Sequence, residues 1–101
     1  MGFYAKHRFI LEDKSLTERL LNILNFRFDE MFYIESPGIV TDEKSNFGSG
    51  ASGVFLWNSI DDIVEELSDN YKKNINMKVT CVDELGEHFG WIVNNSNIWE
   101  D

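Results

Sequence analysis

The sequence lacks the features that would place a protein outside a reducing compartment or inside a membrane. Its one cysteine, Cys81, cannot form an internal disulfide, which agrees with a reducing environment. The longest apolar runs, such as residues 54–57, are far shorter than the ~20 residues that span a bilayer. Residues 1–8 lack an apolar stretch followed by a small-residue cleavage site, so we expect no secretory signal. These absences predict a cytoplasmic protein without a transmembrane segment.

Basic residues are also scarce, most of all in the second half of the chain. There are 18 acidic and 9 basic residues, a formal net charge of −9, and residues 51–101 hold ten acids against three bases. A surface of this sign repels phosphates and anionic lipids, so we expect no direct binding to nucleic acid or membrane. It attracts a basic protein surface and accelerates the encounter with it. The alternative is that the charge only keeps a small domain soluble.

The patterns in the first half predict a strand, a helix and a second strand. At 101 residues and 43% hydrophobic, the chain has enough apolar material for one core, so we expect a single domain, residues 1–101. Residues 3–12 alternate with the period of a strand that has one buried face. Ser15 and Glu18 have capping-box spacing before a helical stripe that ends near residue 25. Residues 30–35 predict a short strand that ends at Pro37-Gly38.

The second half predicts a flexible loop, a strand, a helix and a hairpin. Residues 41–53 are polar and glycine-rich, which favours a flexible loop, and residues 54–57 predict a strand. Ser59 is the expected N-cap of a helix that has Lys72 and Lys73 at its end and Asn74 as a terminator. Residues 77–82 and 88–93 then predict a hairpin around a turn at 83–87, and the tail has the composition of a further short strand. The order of these elements predicts an α+β fold: a ferredoxin-like (split βαβ) antiparallel sheet with two helices on one face and an extra C-terminal hairpin strand.

The second helix has an acidic face. Its apolar residues recur at the spacing of one buried stripe: Ile60, Ile63, Val64, Leu67 and Tyr71. Five carboxylates are left on the opposite side: Asp61, Asp62, Glu65, Glu66 and Asp69. Acids four residues apart lie about 6 Å apart along the axis, comparable with phosphate spacing, so the face is compatible with imitation of a nucleic acid backbone. A solvated helix face is the alternative, since Asp61 and Asp62 are also explained by the helix dipole.

Three other patterns could indicate a nucleotide site, a catalytic thiol or a metal site, but none has the context that such a site needs. Residues 48–53 spell G-x-G-x-x-G, but that fingerprint binds a pyrophosphate only when it follows a strand and opens a helix, and here a strand is expected next. Cys81 lies in an alternating strand and is expected to be buried and inert, although His88 lies across the hairpin from it. Asp83, Glu84, Glu87 and His88 lack the spacing of a specific metal motif, so we expect no metal and no cofactor.

Two residue types are assigned from their position alone. His7 lies on the side of its strand that carries Phe3, Phe9 and Leu11, which predicts a hydrogen-bonded core residue. Of the three tryptophans, Trp57 and Trp91 favour core packing. Trp99 is flanked by acids at the terminus and is a candidate for an interface anchor.

Residues 54–93 resemble a family of known proteins. The features are an aromatic run at residues 55–57, the amphipathic helix, the strand at 77–82 and a hairpin with an acidic turn, a phenylalanine and a glycine at residues 84–91. In these features the segment is similar to ferredoxin-like small proteins encoded on plasmids and phages, which have no established activity. The resemblance implies a mobile-element origin.

Together these patterns favour a small acidic binding protein over an enzyme. We expect an inhibitor or an immunity or anti-defence protein that masks a basic surface of a toxin, nuclease or host defence protein. The predicted partner-binding residues are Asp61, Asp62, Glu65, Glu66, Asp69, Asp83, Glu84, Glu87 and Trp99. Two alternatives stay open: a small ferredoxin-like enzyme or ligand-binding domain that uses Cys81 and His88, and a homodimeric structural module.

Overall fold

The computed structural model describes residues 4–27, 32–42, 45–46, 52–69, 73–83 and 85–100. Their helices and strands are β1 (Tyr4–Leu11), α1 (Thr17–Arg27), β2 (Phe32–Ser36), β3 (Ile39–Asp42), β4 (Ser45–Asn46), α2 (Ser52–Leu67), β5 (Met77–Asp83), β6 (His88–Asn94) and β7 (Asn97–Glu100). Six strands form a sheet in the order β2-β3-β1-β5-β6-β7, and the short β4 pairs with the start of β1. All pairings of these strands are antiparallel. The predicted α+β class is confirmed, and the sheet has more strands than a simple ferredoxin-like fold.

One face of the sheet is buried and the other is open. In β1, His7 and Phe9 are fully buried, whereas Lys6 and Arg8 are exposed, as the alternation predicted. Phe9 lies opposite Val79 of β5 and Val40 of β3, so the buried sides of neighbouring strands form continuous rows. The two helices contribute their apolar stripes to the same core.

The first helix begins differently from the expectation. Asp13, and not Ser15, is the capping residue: its carboxylate accepts the Ser15 hydroxyl at 2.6 Å and the Ser15 backbone N–H at 3.0 Å. The hydroxyl bond and then the backbone bond hold the pKa of Asp13 below its ordinary value. A 3-10 turn at Lys14–Leu16 follows and leads into α1.

The predicted strand at residues 54–57 and the predicted helix start at Ser59 are wrong. Residues 54–57 lie inside α2, which begins at Ser52 and runs for 16 residues. Leu56, Ile60 and Val64 are four apart, so the helical period extends back through residues 54–57. The helix ends at Leu67, and Asp69 follows with a positive φ of 55°, so Asn74 is not its terminator.

The predicted flexible loop at about residues 41–53 is wrong where the structure describes it. Thr41 and Asp42 belong to β3, Ser45 and Asn46 form β4, and Ser52 and Gly53 begin α2. Residues 43–44 and 47–51 lie outside the described residues. The β2–β3 hairpin turns at Pro37-Gly38, where Gly38 has a φ of 89° that favours glycine.

The predicted C-terminal hairpin is confirmed, and the tail adds a strand. β5 pairs with β6, and a two-residue turn at Asn95-Ser96, both with positive φ, returns the chain as β7. Gly90 of β6 approaches the neighbouring backbone so closely that a Cβ there would lie 2.0 Å from the Val79 carbonyl oxygen. Only glycine fits this position.

Candidate protein-binding surface

The acidic face of α2 is exposed, as the sequence predicted. Ile60, Ile63, Val64 and Leu67 are buried in the core. Asp61, Asp62, Glu65 and Glu66 lie on the exposed side, and Asp69 lies in the turn after the helix and is partly exposed. Tyr71 lies outside the described residues.

Two of the five carboxylates are paired with arginines of α1. Arg27 donates to Glu66, and Arg19 approaches Asp69 at 3.3 Å. Among the basic side chains that the structure describes, none forms an ion pair with Asp61, Asp62 or Glu65. We call these three residues the acidic ridge. The two arginines pair with acids on the side of the face that points toward α1. Arg27 also borders a shallow depression with Asp62 and Glu65, so the ridge is exposed beside a cation that pairs with Glu66.

Because α2 begins at Ser52 and not at Ser59, its acids lie farther from the helix N-terminus than the sequence predicts. Asp61 and Asp62 lie in the middle of the helix, so interaction with the dipole at the N-terminus does not account for them. Glu65 lies in the last turn, which contains no basic residue, and a carboxylate there opposes the dipole at a cost of about 0.3–1 kcal/mol. Repulsion between Asp61 and Glu65, four residues apart, adds about 0.2–0.5 kcal/mol. Helix stability therefore does not explain the ridge.

An exposed aromatic side chain lies on the same helical layer. Phe26 of α1 is 91% exposed, next to Arg27, which contacts Glu66 of α2. Phe26 is not among the residues that the sequence predicts at a binding surface, because it directly follows the buried stripe of Leu20, Ile23 and Leu24. An aromatic residue out of register with that stripe was the available signal.

The other predicted partner-binding residues do not join the ridge. Trp99 is 64% exposed and lies opposite Ile92 of β6, on the sheet face that points away from the helices. Glu87 is exposed near the β5–β6 turn. The Asp83 side chain and Glu84 lie outside what the structure describes. The structure thus keeps four α2 acids and Asp69 on one layer and places Trp99 on the opposite one.

Beneath the helices, a buried row of polar side chains crosses the sheet. Asp42 of β3, His7 of β1 and Cys81 of β5 follow one another across three adjacent strands, and each is fully buried. The Asp42 carboxylate accepts the His7 backbone N–H at 2.7 Å and lies 2.9 Å from the His7 Nδ1. The prediction of a hydrogen-bonded core histidine is confirmed.

Cys81 is placed where a thiol is inert. Burial, and then the negative charge of Asp42, raise the pKa of the Cys81 thiol far above its ordinary value. His88 lies opposite Val82, one residue along the strand, and is exposed on the other side of the sheet. The pair of Cys81 and His88 that the enzyme alternative requires therefore does not form.

The glycine-rich segment precedes a helix, contrary to the expectation. α2 begins at Ser52, so one structural condition of the G-x-G-x-x-G fingerprint is met. The strand before the segment, β4, pairs antiparallel with β1, whereas the fingerprint belongs to a parallel βαβ unit. Residues 47–51 lie outside the described part of the chain.

The described residues form no metal-binding cluster and no membrane-spanning helix, and the chain matches no known protein. In the described ranges, no three His, Cys, Asp or Glu side chains are grouped to hold a metal ion. No helix within the same ranges is long and apolar enough to cross a membrane. No family model, no curated protein and no solved structure matches this chain.

Proposed function

We propose that the protein is a non-enzymatic binding protein whose acidic ridge docks on a basic surface of another protein. The observation that carries this proposal is the position of Glu65, which is exposed, unpaired with any described base, and placed where it destabilises its own helix. Residues held against the stability of an element are expected at functional positions. An inhibitor or an immunity or anti-defence protein that masks a toxin, nuclease or defence protein is the class that fits.

The extent of the ridge favours a compact contact over a long imitation of nucleic acid. Asp61 and Glu65 are about 6 Å apart along the helix axis. Glu66 and Asp69 are engaged by arginines, so the charge that has no ion-pair partner among the described bases covers about one helical turn. Phe26 on the same layer adds an apolar group, and interfaces depend on such anchors surrounded by polar contacts. We infer a partner with a basic patch that binds the acidic ridge and an adjacent apolar pocket that binds Phe26.

Six elements of the chain, β1, α1, β2, β3, α2 and β5, follow one another in the order of a ferredoxin-like unit. Their chain order and the strand order β2-β3-β1-β5 support a split βαβ arrangement, which β6 and β7 extend. A mobile-element origin stays a proposal, and one of its supports is lost because residues 55–57 form part of α2 and not an aromatic strand.

Charge reversal on the ridge tests the proposed function. Asp61→Lys combined with Glu65→Lys is compared with Glu18→Lys combined with Glu100→Lys, which changes the net charge equally at exposed acids away from the ridge. Proteins retained from extracts of the native host are identified, and their affinities for each variant are measured at several salt concentrations. We expect the ridge variant to bind at least tenfold more weakly, and wild-type binding to weaken as salt rises.

Equal affinities of the ridge variant and the control variant would contradict the proposal. If a partner binds the ridge variant as tightly as the control variant, the ridge is not its docking surface. An additional variant, Phe26→Ala, is expected to weaken binding by increasing the rate of dissociation, because the lost contact is apolar.

A further inference from the structure

The sheet has a second exposed surface that the proposed function does not use. We call it the open sheet face. It is formed by the outward side chains of the strands, among them Arg8, Ile10, Glu35, Lys78, Ile92 and Trp99. The helices cover the opposite face, so the molecule has a helical layer and an open layer.

An apolar row crosses the open sheet face. In register, Ile39 lies beside Ile10, Ile10 beside Lys78, Lys78 beside Ile92, and Ile92 beside Trp99. Ile92 is 41% and Trp99 64% exposed. The aliphatic stem of a lysine in such a row can cover its apolar neighbours while its ammonium group stays in a polar environment. Four of the five side chains in this row are apolar, and the fifth, Lys78, contributes its aliphatic stem to the same surface.

A shallow depression lies next to the exposed tryptophan. It has a volume of about 370 Å³, and its lining includes Ile10, Lys78 and Ile92 of the row together with Glu12. Trp99 lies one strand beyond Ile92, outside this lining. The open sheet face thus has a protruding tryptophan side chain next to a depression that is partly lined by apolar residues.

The charges on the open sheet face favour a second copy of the chain over a polyanion as the partner that binds there. The described charges on it and at its rim are three cations, Lys6, Arg8 and Lys78, and two carboxylates, Glu12 and Glu35, of which Glu35 pairs with Arg8 at 3.5 Å. The chain as a whole carries −9. A polyanion such as nucleic acid would meet a nearly neutral face on a negatively charged molecule. A second copy, in contrast, can approach here with its acidic ridge pointing away.

We propose that the open sheet face is the interface of a homodimer in which two sheets pack face to face and the helices lie outside. Such sheets pack about 10 Å apart. A twofold axis makes the contact reciprocal, so that Trp99 of each copy enters the depression of the other. The cations and carboxylates of one copy then face a surface of the other copy that also has both positive and negative charges.

The size of the face agrees with this occupant. The six strands are four to eight residues long, rise about 3.4 Å per residue and lie about 4.8 Å apart, which gives a face on the order of 600 Å² in projection. Side-chain relief raises this area toward the ~800 Å² per partner of a standard interface. The whole molecule measures 39 × 24 × 20 Å, so this is one of its broad sides.

The test compares two exposed aromatic residues on opposite layers. Trp99→Lys and Phe26→Lys introduce the same charge, and sedimentation velocity follows the oligomeric state of each variant and of the wild type from about 1 μM to about 1 mM. We expect a wild-type dimer, at least tenfold weaker association of Trp99→Lys, and no change for Phe26→Lys. Hydrogen exchange of the β1 amides shows whether each variant is folded.

Salt dependence and cross-linking separate this proposal from the proposed function. Dimerisation is expected to strengthen as salt screens the repulsion between two chains of charge −9, whereas binding through the acidic ridge weakens. In a Cys81→Ala background, Ile92→Cys is expected to form an intermolecular disulfide and Phe26→Cys is not. A wild-type monomer over the whole range, equal dimerisation of the two lysine variants, or cross-linking through position 26 alone overturns the proposal.

Discussion

At the scale of single residues, the buried row of Asp42, His7 and Cys81 shows how much a local pattern can predict. The period-2 alternation of β1 is enough to place His7 in the core, because successive side chains of a strand point to opposite faces. It does not identify Asp42, which is 35 positions away and reaches His7 only through the pairing of β1 with β3. A buried imidazole needs a hydrogen-bond partner, but its identity is a long-range fact.

The thiol of Cys81 makes folding stability depend on pH. Its pKa is raised in the folded protein, whereas the unfolded thiol ionises at about 8.5. Above that pH the unfolded state has lost a proton that the folded state keeps. The contribution of Cys81 to stability is therefore fully present below about pH 8.5 and declines by up to about 1.4 kcal/mol per pH unit above it.

Urea unfolding between pH 7.5 and 10 measures this effect as the difference between the wild type and Cys81→Ala. The variant lacks the thiol, so its stability should fall less steeply with pH, although its stability at neutral pH is lower because the substitution leaves a small cavity. Parallel pH dependences in the two proteins would show that Cys81 is not shielded from solvent as described.

At the scale of elements, α2 is the case in which sequence reasoning failed most. Residues 54–57 are a short apolar run, and periodicity alone does not distinguish a buried strand from part of a helix over four residues. The preceding glycines favoured a loop, yet Gly53 lies within the first turn of the helix. The helical stripe from Ile60 to Leu67, in contrast, was predicted correctly because it covers two turns of consistent spacing.

Substitution Glu65→Lys is expected to stabilise the isolated protein. It removes a carboxylate from the last turn of α2 and converts the repulsion with Asp61 into attraction, for a gain of about 0.5–1 kcal/mol. Thermal or urea denaturation checks the gain, with Glu18→Lys as the control. Glu18 lies in the first turn of α1, where a lysine opposes the dipole, so the control is expected to lose stability. A loss of stability in Glu65→Lys as well would contradict the dipole argument.

At the scale of the whole molecule, the two layers differ in charge and in what they can bind. The helical layer carries the acidic ridge and Phe26, and the open sheet face carries a near balance of charges and Trp99. The sequence predicts that Trp99, which is flanked by acids at the terminus, extends or anchors the surface of the α2 acids. Strand pairing places them on opposite sides.

The strand order also predicts how the molecule opens. β1 and β5 lie in the centre of the sheet, where Phe9 and Val79 are fully buried, whereas β7 lies at the edge. The amides of β1 and β5 should therefore exchange with solvent only through global unfolding, and those of β7 through local opening at a much lower free energy. Hydrogen exchange resolved by NMR checks this order. Protection of β7 equal to that of β1 would contradict it.

The sequence by itself determined the α+β class, the strand β1 with its buried side, the C-terminal hairpin and the exposed face of α2. Each of these depends on a period of two or of 3.6 residues that is repeated along one segment, and such periods are local. Tertiary structure alone decided which acids are paired, because Arg27 reaches Glu66 of α2 and Arg19 reaches Asp69 after it, both from another helix. It also decided the partner of His7 and the layer on which Trp99 lies, since these follow from which strands pair, and chain distance does not encode that choice.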